Sequence, residues 1–276
     1  MLNAFISKKT WILLFCVIIA TIPRFNRNQF FISRPPADMA IHTAMIEYYR
    51  TGEVDSILIS KHSIAANWRP LFPFIASFLP FAPITSLSIL GILSIFFSVI
   101  ILKRIMRQLG VDEKNIYLSL FLYIFSFPVF YYTTIGYLDP GLILLLNLGI
   151  LLAIQKHTFL FYLNLALGVL MKEGIIVLLP FYWLYIIKEE AGTKKTLISI
   201  ILSILIYFTI SVIVRKLTFN SSLGFDVFWS PGLDMFLYNL NRVNSWLSFI
   251  LVMGIPLALI SYNFHIFKTL IKTHQG

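Results

Sequence analysis

Charged residues and cysteine are both scarce in this sequence. Only 12% of the 276 residues are charged, whereas 58% are hydrophobic and 16% aromatic. Soluble domains usually carry about twice that charged fraction, so the composition excludes an ordinary soluble domain and indicates a membrane protein. The single cysteine, Cys16, lies in the first apolar run. An internal disulfide is therefore impossible, and a metal site built from cysteines is not expected.

The sequence also lacks the motifs of soluble catalytic domains. It has no internal repeat, low-complexity tract, P-loop, GxGxxG motif, HExxH motif or zinc-type spacing of Cys and His. The excess of 22 basic over 12 acidic residues, a formal charge of +10, falls in short gaps between apolar runs. Lipid phosphates lie at that depth, so anionic lipid is a better expected partner than nucleic acid. Any chemistry is expected from side chains at the membrane surface.

Apolar runs are abundant and predict an all-α fold, a polytopic bundle of about eight transmembrane helices. Several runs are short, because about 14 residues rise only about 21 Å and need flanking residues or a locally thinner bilayer to cross. Residues 71–81 and 84–102 would cross once, either as a kinked helix or as a re-entrant piece followed by a span. The other runs are residues 11–23, 116–135, 138–154, 158–171, 174–187, 196–214 and 246–264.

The basic residues set the expected orientation. If Lys8 and Lys9 are cytoplasmic, the linkers 103–114, 155–157 and 188–195 on the same side are basic as well. The chain is then a multi-pass protein of the plasma membrane with both termini in the cytoplasm. The sequence after residue 20 lacks a small-x-small cleavage site, which favours an uncleaved first span over a signal peptide.

With this orientation the acidic residues are unevenly distributed, since eight of the 12 fall on the external side. A carboxylate beside a short span is costly unless it is paired or lies in a watery cavity, so such residues are candidates for function. The eight are Asp38, Glu47, Glu53, Asp55, Asp139, Glu173, Asp226 and Asp234.

The first external loop predicts a helix lying in the membrane interface. Pro36 suits its first turn, Asp38 complements its positive end, Arg50 its negative end, and Gly52 ends it. Apolar residues recur along it at helical spacing and would form the side that faces the membrane. They are Ile41, Met45, Tyr48 and Tyr49.

Asp38 and His42 share one face of this predicted helix because they lie four residues apart. One interpretation is structural: Asp38 caps the helix and His42 is a solvated surface residue. The other is that both belong to a functional site. The two side chains could ligate a cation, but two ligands are too few to argue for a metal site.

Three further motifs, which together contain four charged residues, have two interpretations each. Arg69 opens an apolar stretch as Arg-Pro-Leu-Phe-Pro, where it could extend to lipid headgroups or hold a phosphate in a bidentate grip. Asp139 precedes Pro140 and could be a helix N-cap or a site carboxylate. Lys172 and Glu173 form the turn of a tight helical hairpin, where they could pair with each other or act in a site.

Together these motifs resemble the GT-C superfamily of integral-membrane glycosyltransferases, which includes protein O-mannosyltransferases and lipid A aminoarabinose transferases. The similar features are an acid in the first external loop, Arg-Pro-Leu-x-Pro at a span entry, an external Asp-Pro, and a Lys-Glu turn before an apolar run ending in Leu-Pro. The resemblance implies a catalytic module at residues 1–190 and C-terminal transmembrane helices with an external loop at 191–276. The chain departs from the pattern at Met39, where many relatives have a second acid.

The resemblance implies transfer of a sugar from a polyprenyl-phosphate carrier to a glycan, lipid or protein acceptor on the external side, usually with inversion. Asp38 would be the catalytic base, and Arg69 and Lys172 would hold the phosphate. Asp139, also placed among the catalytic residues, and Glu173 would orient these cations or the sugar, and His42 would contact the substrate. No cofactor is expected, and dependence on a divalent cation is left open.

Two regions are candidates for substrate contacts. The polyprenyl tail would lie in a groove between short spans, lined by Phe127, Phe130, Tyr131 and Tyr132, although an aromatic belt at the membrane interface explains the same residues. The last external loop, residues 215–244, contains aromatic and amide side chains suited to sugar recognition, which an ordinary surface loop would also contain.

Two other functions are compatible with the sequence. A flippase or scramblase for polyprenyl-linked lipids would use the same basic residues and groove. Ionisable groups in the middle of spans would mark it, but they fall at the ends of the runs. An inactive GT-C-like subunit of a membrane assembly would need the polar residues only as helix caps.

Overall fold

The computed structural model of the chain describes residues 11–21, 37–59, 69–125, 138–183, 194–217, 240–243 and 246, with Ala37 and Asp38 described by their backbone alone. The regular secondary structure of these residues is entirely helical, which confirms the predicted all-α class. By internal contacts the chain divides into two units, Met1–Ser221 and Ser222–Gly276. Nearly all of the described residues belong to the first unit. The predicted domain boundary at 190/191 falls outside them.

The described helices are numbered in chain order. The first five are α1 (Trp11–Thr21), α2 (Ala37–Thr51), α3 (Ser56–Ile59), α4 (Leu71–Ser77) and α5 (Pro83–Gln108). The others are α6 (Glu113–Ile124), α7 (Asp139–Ile154), α8 (Thr158–Met171), α9 (Glu173–Trp183) and α10 (Lys194–Leu217). Helix α9 opens with a 3-10 turn over Glu173–Val177.

Two of these helices, α5 and α10, are long and apolar enough to cross a membrane. Their 26 and 24 residues rise about 39 and 36 Å, which exceeds the roughly 30 Å hydrocarbon core of a bilayer. Over the residues that the structure describes, helices α1, α7, α8 and α9 are apolar but shorter. The predicted number of crossings and the orientation stay predictions, because both termini and the run 246–264 lie almost wholly outside the described residues.

Helix α7 is central to the larger core because it packs against α5 on one side and α8 on the other. Its sequence is apolar on every side, as expected of a helix with neighbours all round. Buried Leu145 and Leu152 meet Phe161 and Leu165 of α8 in this core. Helix α8 in turn packs against α10. A second core joins α1, α5 and α6 through residues such as Val17, Ile95, Ile116 and Leu120.

A short polar network links three helices within the bundle. Asn147 of α7 donates from Nδ2 to Ser98 Oγ of α5 at 2.6 Å, and Ser98 Oγ lies 2.8 Å from Tyr123 Oη of α6. Hydrogen bonds between helices in an apolar surrounding fix which faces meet. This network sets the rotation of α5, α6 and α7 about their axes.

We expect Asn147→Leu to destabilise the bundle, because the leucine is similar in volume but leaves Ser98 and Tyr123 without their partner on α7. The free energy of unfolding should fall by about 1 kcal/mol, in the range measured for hydrogen bonds between membrane helices. Reversible unfolding in mixed micelles measures it. Asn164→Leu does not test the same effect, because Asn164 donates to the backbone carbonyl of Leu145 on α7 and not to another side chain. Replacing Ser98, Tyr123 and Asn147 together by apolar residues should restore most of the loss, and an equal or larger loss in that triple variant would contradict the interpretation.

The predicted helix of the first external loop is α2, and its predicted end is confirmed. Gly52 has a φ of +79°, the left-handed conformation that ends helices, and its N–H donates to Tyr48 O at 2.8 Å. The helix packs on α4 and α5. Ile41 and Met45, from its predicted apolar side, are buried against other protein groups, and Tyr48 is half-buried.

Candidate functional site

The candidate site is formed at helix ends. Asp139 begins α7, Lys172 and Glu173 form the connection from α8 to α9, and Arg69 stands two residues before α4. His42 lies in the middle of α2. Helix ends are where polar side chains can meet without interrupting an apolar helix face, so the fold brings these chain segments together at their charged positions.

Arg69 and Glu173 form a bidentate ion pair across 104 residues of sequence. Arg69 donates from Nε to Glu173 Oε2 at 3.0 Å and from Nη2 to Oε1 at 2.5 Å. The Arg69 side chain is 14% exposed and that of Glu173 is 41% exposed. The interpretation that Arg69 extends to lipid headgroups is therefore wrong, because its guanidinium is turned inward onto a carboxylate. The other interpretation is that Arg69 holds a phosphate in a bidentate grip; its bidentate partner in the structure is the Glu173 carboxylate, and phosphate binding stays a prediction.

Lys172 and Asp139 form the second ion pair, with Lys172 Nζ 2.7 Å from Asp139 Oδ1. Both side chains are about one quarter exposed. The predicted N-cap role of Asp139 is corrected: Leu138 is the N-cap, Asp139 is the first helical residue and Pro140 the second. The Asp139 carboxylate is thereby free to turn toward the end of α8, where Lys172 lies.

The expected alternative that Lys172 and Glu173 pair with each other is wrong. Lys172 has an extended backbone, with φ of −169° and ψ of 138°, between the end of α8 and the 3-10 turn. Successive side chains of an extended segment point in opposite directions, so the two charges diverge. Each reaches a partner on a different segment, and because they are neighbours the two ion pairs form one cluster of Arg69, Asp139, Lys172 and Glu173.

Glu173 is held by its backbone as well as by its side chain. Tyr207 of α10 donates from its hydroxyl to the Glu173 carbonyl oxygen at 3.2 Å. Burial alone raises the pKa of the Glu173 carboxyl, but the hydrogen bonds and positive charge of Arg69 outweigh it, with a smaller contribution from Lys172, and hold the pKa below its ordinary value. Glu173 therefore stays ionised at neutral pH.

Sequence reasoning missed the contribution of α10. Thr196, Ser199, Ser203 and Tyr207 are all buried and recur at intervals of three and four residues. This spacing places four hydroxyl groups on one face of an otherwise apolar helix, and that face packs on α8. On this face Trp183 Nε1 donates to Ser203 Oγ at 2.9 Å, and Tyr207 reaches Glu173. This spacing of hydroxyl residues can be read from the sequence, and it identifies the face of α10 from which Tyr207 contacts Glu173.

His42 is 1% exposed, so the interpretation that it is a solvated surface residue is wrong. Burial first, and then the positive charges of Arg69 and Lys172, lower the pKa of His42 to about 3. Its imidazole is thus neutral at pH 7, in the electrostatic field of both ion pairs. Its Nδ1 atom has no hydrogen-bond partner among the described residues.

The remaining predicted site residues are only partly described. Asp38 lies in the first turn of α2, one turn before His42, but its side chain is outside the described residues. The aromatic residues proposed to line a lipid groove, Phe127 to Tyr132, and nearly all of the last external loop are outside them as well. Within the described ranges, three or more His, Cys, Asp or Glu side chains nowhere come together in an arrangement that could hold a metal ion.

The lowered pKa of His42 predicts a loss of stability in acid. The unfolded chain binds a proton at this residue below about pH 6.5 and the folded chain does so only below about pH 3. Above pH 6.5 protonation of His42 does not affect the free energy of unfolding. Between pH 6.5 and pH 3 this free energy should fall by about 1.4 kcal/mol for each unit that the pH decreases. Unfolding of wild type and His42→Asn at a series of pH values measures the difference. Parallel profiles for the two proteins would contradict the prediction.

The four clustered residues cannot be interpreted through relatives. No family model matches the chain, and no curated protein or solved structure matches it either. Its function must be inferred from the side chains that the fold brings together.

Proposed function

We propose that this protein is an integral-membrane glycosyltransferase of the GT-C type. It transfers a sugar from a polyprenyl-phosphate carrier to an acceptor on the external side of the plasma membrane, with inversion at the anomeric carbon. The observation that carries the proposal is the cluster in which two cations, Arg69 and Lys172, are each oriented by a carboxylate from another segment.

The cluster suits a phosphate leaving group. A phosphate that departs from a sugar develops negative charge, and fixed cations stabilise it without a cost of reorganisation during the reaction. Glu173 and Asp139 keep the two cations in place before the donor arrives, since unpaired charges at partly buried positions would be costly. An arriving phosphate can bind on the sides of Arg69 and Lys172 that their carboxylates leave open.

The transfer step needs a base opposite the phosphate. In the proposed mechanism Asp38 takes the proton of the acceptor hydroxyl while its oxygen attacks the anomeric carbon. The bond from that carbon to the phosphate oxygen breaks, and its electron pair leaves with the polyprenyl phosphate, which Arg69 and Lys172 stabilise. His42, neutral and buried one turn from Asp38, reaches a sugar or acceptor hydroxyl only if the arriving substrate displaces the groups that cover it.

Membrane placement follows the same proposal. The lengths of α5 and α10 support crossing of the bilayer, and the short apolar helices α7, α8 and α9 complete the bundle around the site. In this arrangement about eight spans place both termini in the cytoplasm and the cluster at the outer leaflet, where the carrier headgroup emerges. Short spans leave the lipid chain a groove beside the cluster.

The deciding experiment is an assay of the purified protein in liposomes with a panel of labelled polyprenyl-phosphate sugars and membrane-extract acceptors. Wild type should form a labelled product, and Asp38→Asn should reduce the rate at least 100-fold, as expected for loss of a general base. Glu53→Gln is the matched control, because Glu53 is an exposed acid in the same loop and should keep the wild-type rate. Equal thermal unfolding of all three proteins excludes misfolding.

The same assay separates the alternatives. Product formation by Asp38→Asn at the wild-type rate would overturn the assignment of the base. Movement of label between leaflets without any product would indicate a flippase or scramblase for polyprenyl-linked lipids. Neither product nor movement would indicate an inactive subunit of a membrane assembly.

A further inference from the structure

The break between α4 and α5 leaves carbonyl groups without helical donors. In a continuous helix Leu79 O would accept from the N–H of residue 83 and Ala76 O from that of residue 80, but both of these residues are prolines. Ala76 O accepts from Leu79 N at 3.1 Å instead. Leu79 O needs a donor from elsewhere in the fold, since an unpaired carbonyl in an apolar surrounding is costly.

Arg50 of α2 supplies that donor and two more. Its Nη2 donates to Leu79 O at 2.8 Å and to Phe81 O at 2.9 Å, and its Nε donates to Ser77 O at 3.3 Å. Sequence reasoning assigned Arg50 to the negative end of its own helix, whereas its guanidinium extends to carbonyls about 30 residues further along the chain. A planar fork of donors fits three carbonyls that a lysine ammonium could not meet together.

Ring contacts reinforce the same junction. Tyr49, adjacent to Arg50, meets Phe74 of α4 edge to face with ring centroids 5.5 Å apart. The C-terminal end of α2 is thus fastened to α4 and to the break that follows. The N-terminal half of α2 carries Asp38 and His42, and Arg69 stands at the entry of α4.

We propose that Arg50 is a positioning residue, which holds α2 at a fixed place on α4 and thereby sets Asp38 and His42 opposite Arg69. The proposal rests on the proposed function. Arg50 acts through the backbone of the break, at the other end of α2 from the reacting groups. Because Arg69 and Lys172 are held by their own carboxylates, loss of Arg50 should disturb the base more than the phosphate-binding cations.

Kinetics test this division of roles. Arg50→Lys keeps the charge and Arg50→Ala removes it, and both should lower kcat at least about tenfold while KM for the donor changes less than about threefold. Added guanidinium ion should restore part of the activity of Arg50→Ala. The control is Arg107→Ala, which removes an arginine whose Nε donates to exposed Glu113 at 2.6 Å, and it should keep the wild-type rate. Wild-type kcat in Arg50→Lys would overturn the proposal.

A distance measurement tests the fastening without any substrate. Spin labels are attached to cysteines that replace exposed Glu53, just after α2, and exposed Phe159 of α8, after Cys16→Ser removes the native cysteine. The distribution of distances should be narrow in the parent protein, broad in both Arg50 variants and unchanged by Arg107→Ala. An unchanged distribution in Arg50→Ala would overturn the proposal, even if activity falls.

The two measurements distinguish failure of the inference from failure of the function. If wild type transfers no polyprenyl-phosphate sugar, the proposed function fails and the distance distributions alone decide whether Arg50 holds α2 in place. The other case is that wild type is active while the Arg50 variants show broad distance distributions and keep the wild-type kcat. In that case the proposed function stands and the positioning role is overturned.

Discussion

Replacing Arg69 with methionine is expected to abolish transfer and to destabilise the fold. The change leaves the Glu173 carboxylate without its two hydrogen bonds. Since the Glu173 side chain is 41% exposed, water offsets part of the loss, and the free energy of unfolding should fall by about 1–2 kcal/mol. The rate should fall at least 100-fold because the leaving phosphate loses a fixed cation. Reversible unfolding in mixed micelles and the liposome assay measure the two effects.

A double-mutant cycle separates these two effects. Adding Glu173→Gln to Arg69→Met removes the unpaired charge, so it should recover most of the lost stability and none of the activity. Arg107→Met with Glu113→Gln is the matched pair, because both of its side chains are about half exposed and its coupling should be below about 1 kcal/mol. Wild-type transfer by Arg69→Met would contradict the role of this arginine.

Enlarging Gly168 to leucine is expected to displace the connection between α8 and α9. Any Cβ at Gly168 would press on Ile175, whose Cδ1 would lie 2.7 Å and whose Cβ 3.0 Å away. The leucine should lower the free energy of unfolding by about 1–3 kcal/mol, the usual cost of overpacking. It should also reduce transfer at least tenfold, because Lys172 and Glu173 lie between these two residues in the chain and must move with Ile175.

A compensating change tests the cause of this loss. Ile175→Ala makes room beside Gly168, so the double variant Gly168→Leu/Ile175→Ala should be more stable than the sum of the two single effects allows. Leu163→Ala, on the exposed side of α8, is the control and should leave transfer unchanged. Wild-type thermal unfolding and activity in Gly168→Leu would show that the close approach is not needed.

Helix positions followed from the sequence where apolar residues fill the whole helix. The run 158–171 coincides with α8, and 138–154 differs from α7 by one residue. Other helices extend beyond their runs because hydropathy does not register polar residues that continue a helix. Helix α6 begins at Glu113 instead of 116, since Asp112 caps it by accepting from Asn115 N at 3.1 Å. Helix α5 continues past residue 102 through Lys103 to Gln108 for the same reason.

The site residues could be nominated from the sequence, but their pairing could not. Spacing along the chain suggested that Lys172 pairs with Glu173, and only the extended backbone between α8 and α9 separates them. The partners Asp139 and Arg69 are 33 and 104 residues away, so tertiary packing decides the pairing. His42 could have been placed correctly, because Met39 and Ile46 lie one turn before and after it and mark its face as buried.

The single residue that joins α8 to α9 has a consequence for biosynthesis in the proposed membrane setting. The 14 residues of α8 are fewer than the roughly 20 apolar residues that a membrane-crossing segment needs, so α8 depends on the helix that follows it. The pair would therefore leave the translocon as one hairpin. Its tip carries a lysine beside a glutamate, so the dipeptide pulled across the bilayer has no net charge. Adjacent opposite charges cost less to carry across the bilayer than two isolated charges would, and each side chain then finds a different partner in the folded protein.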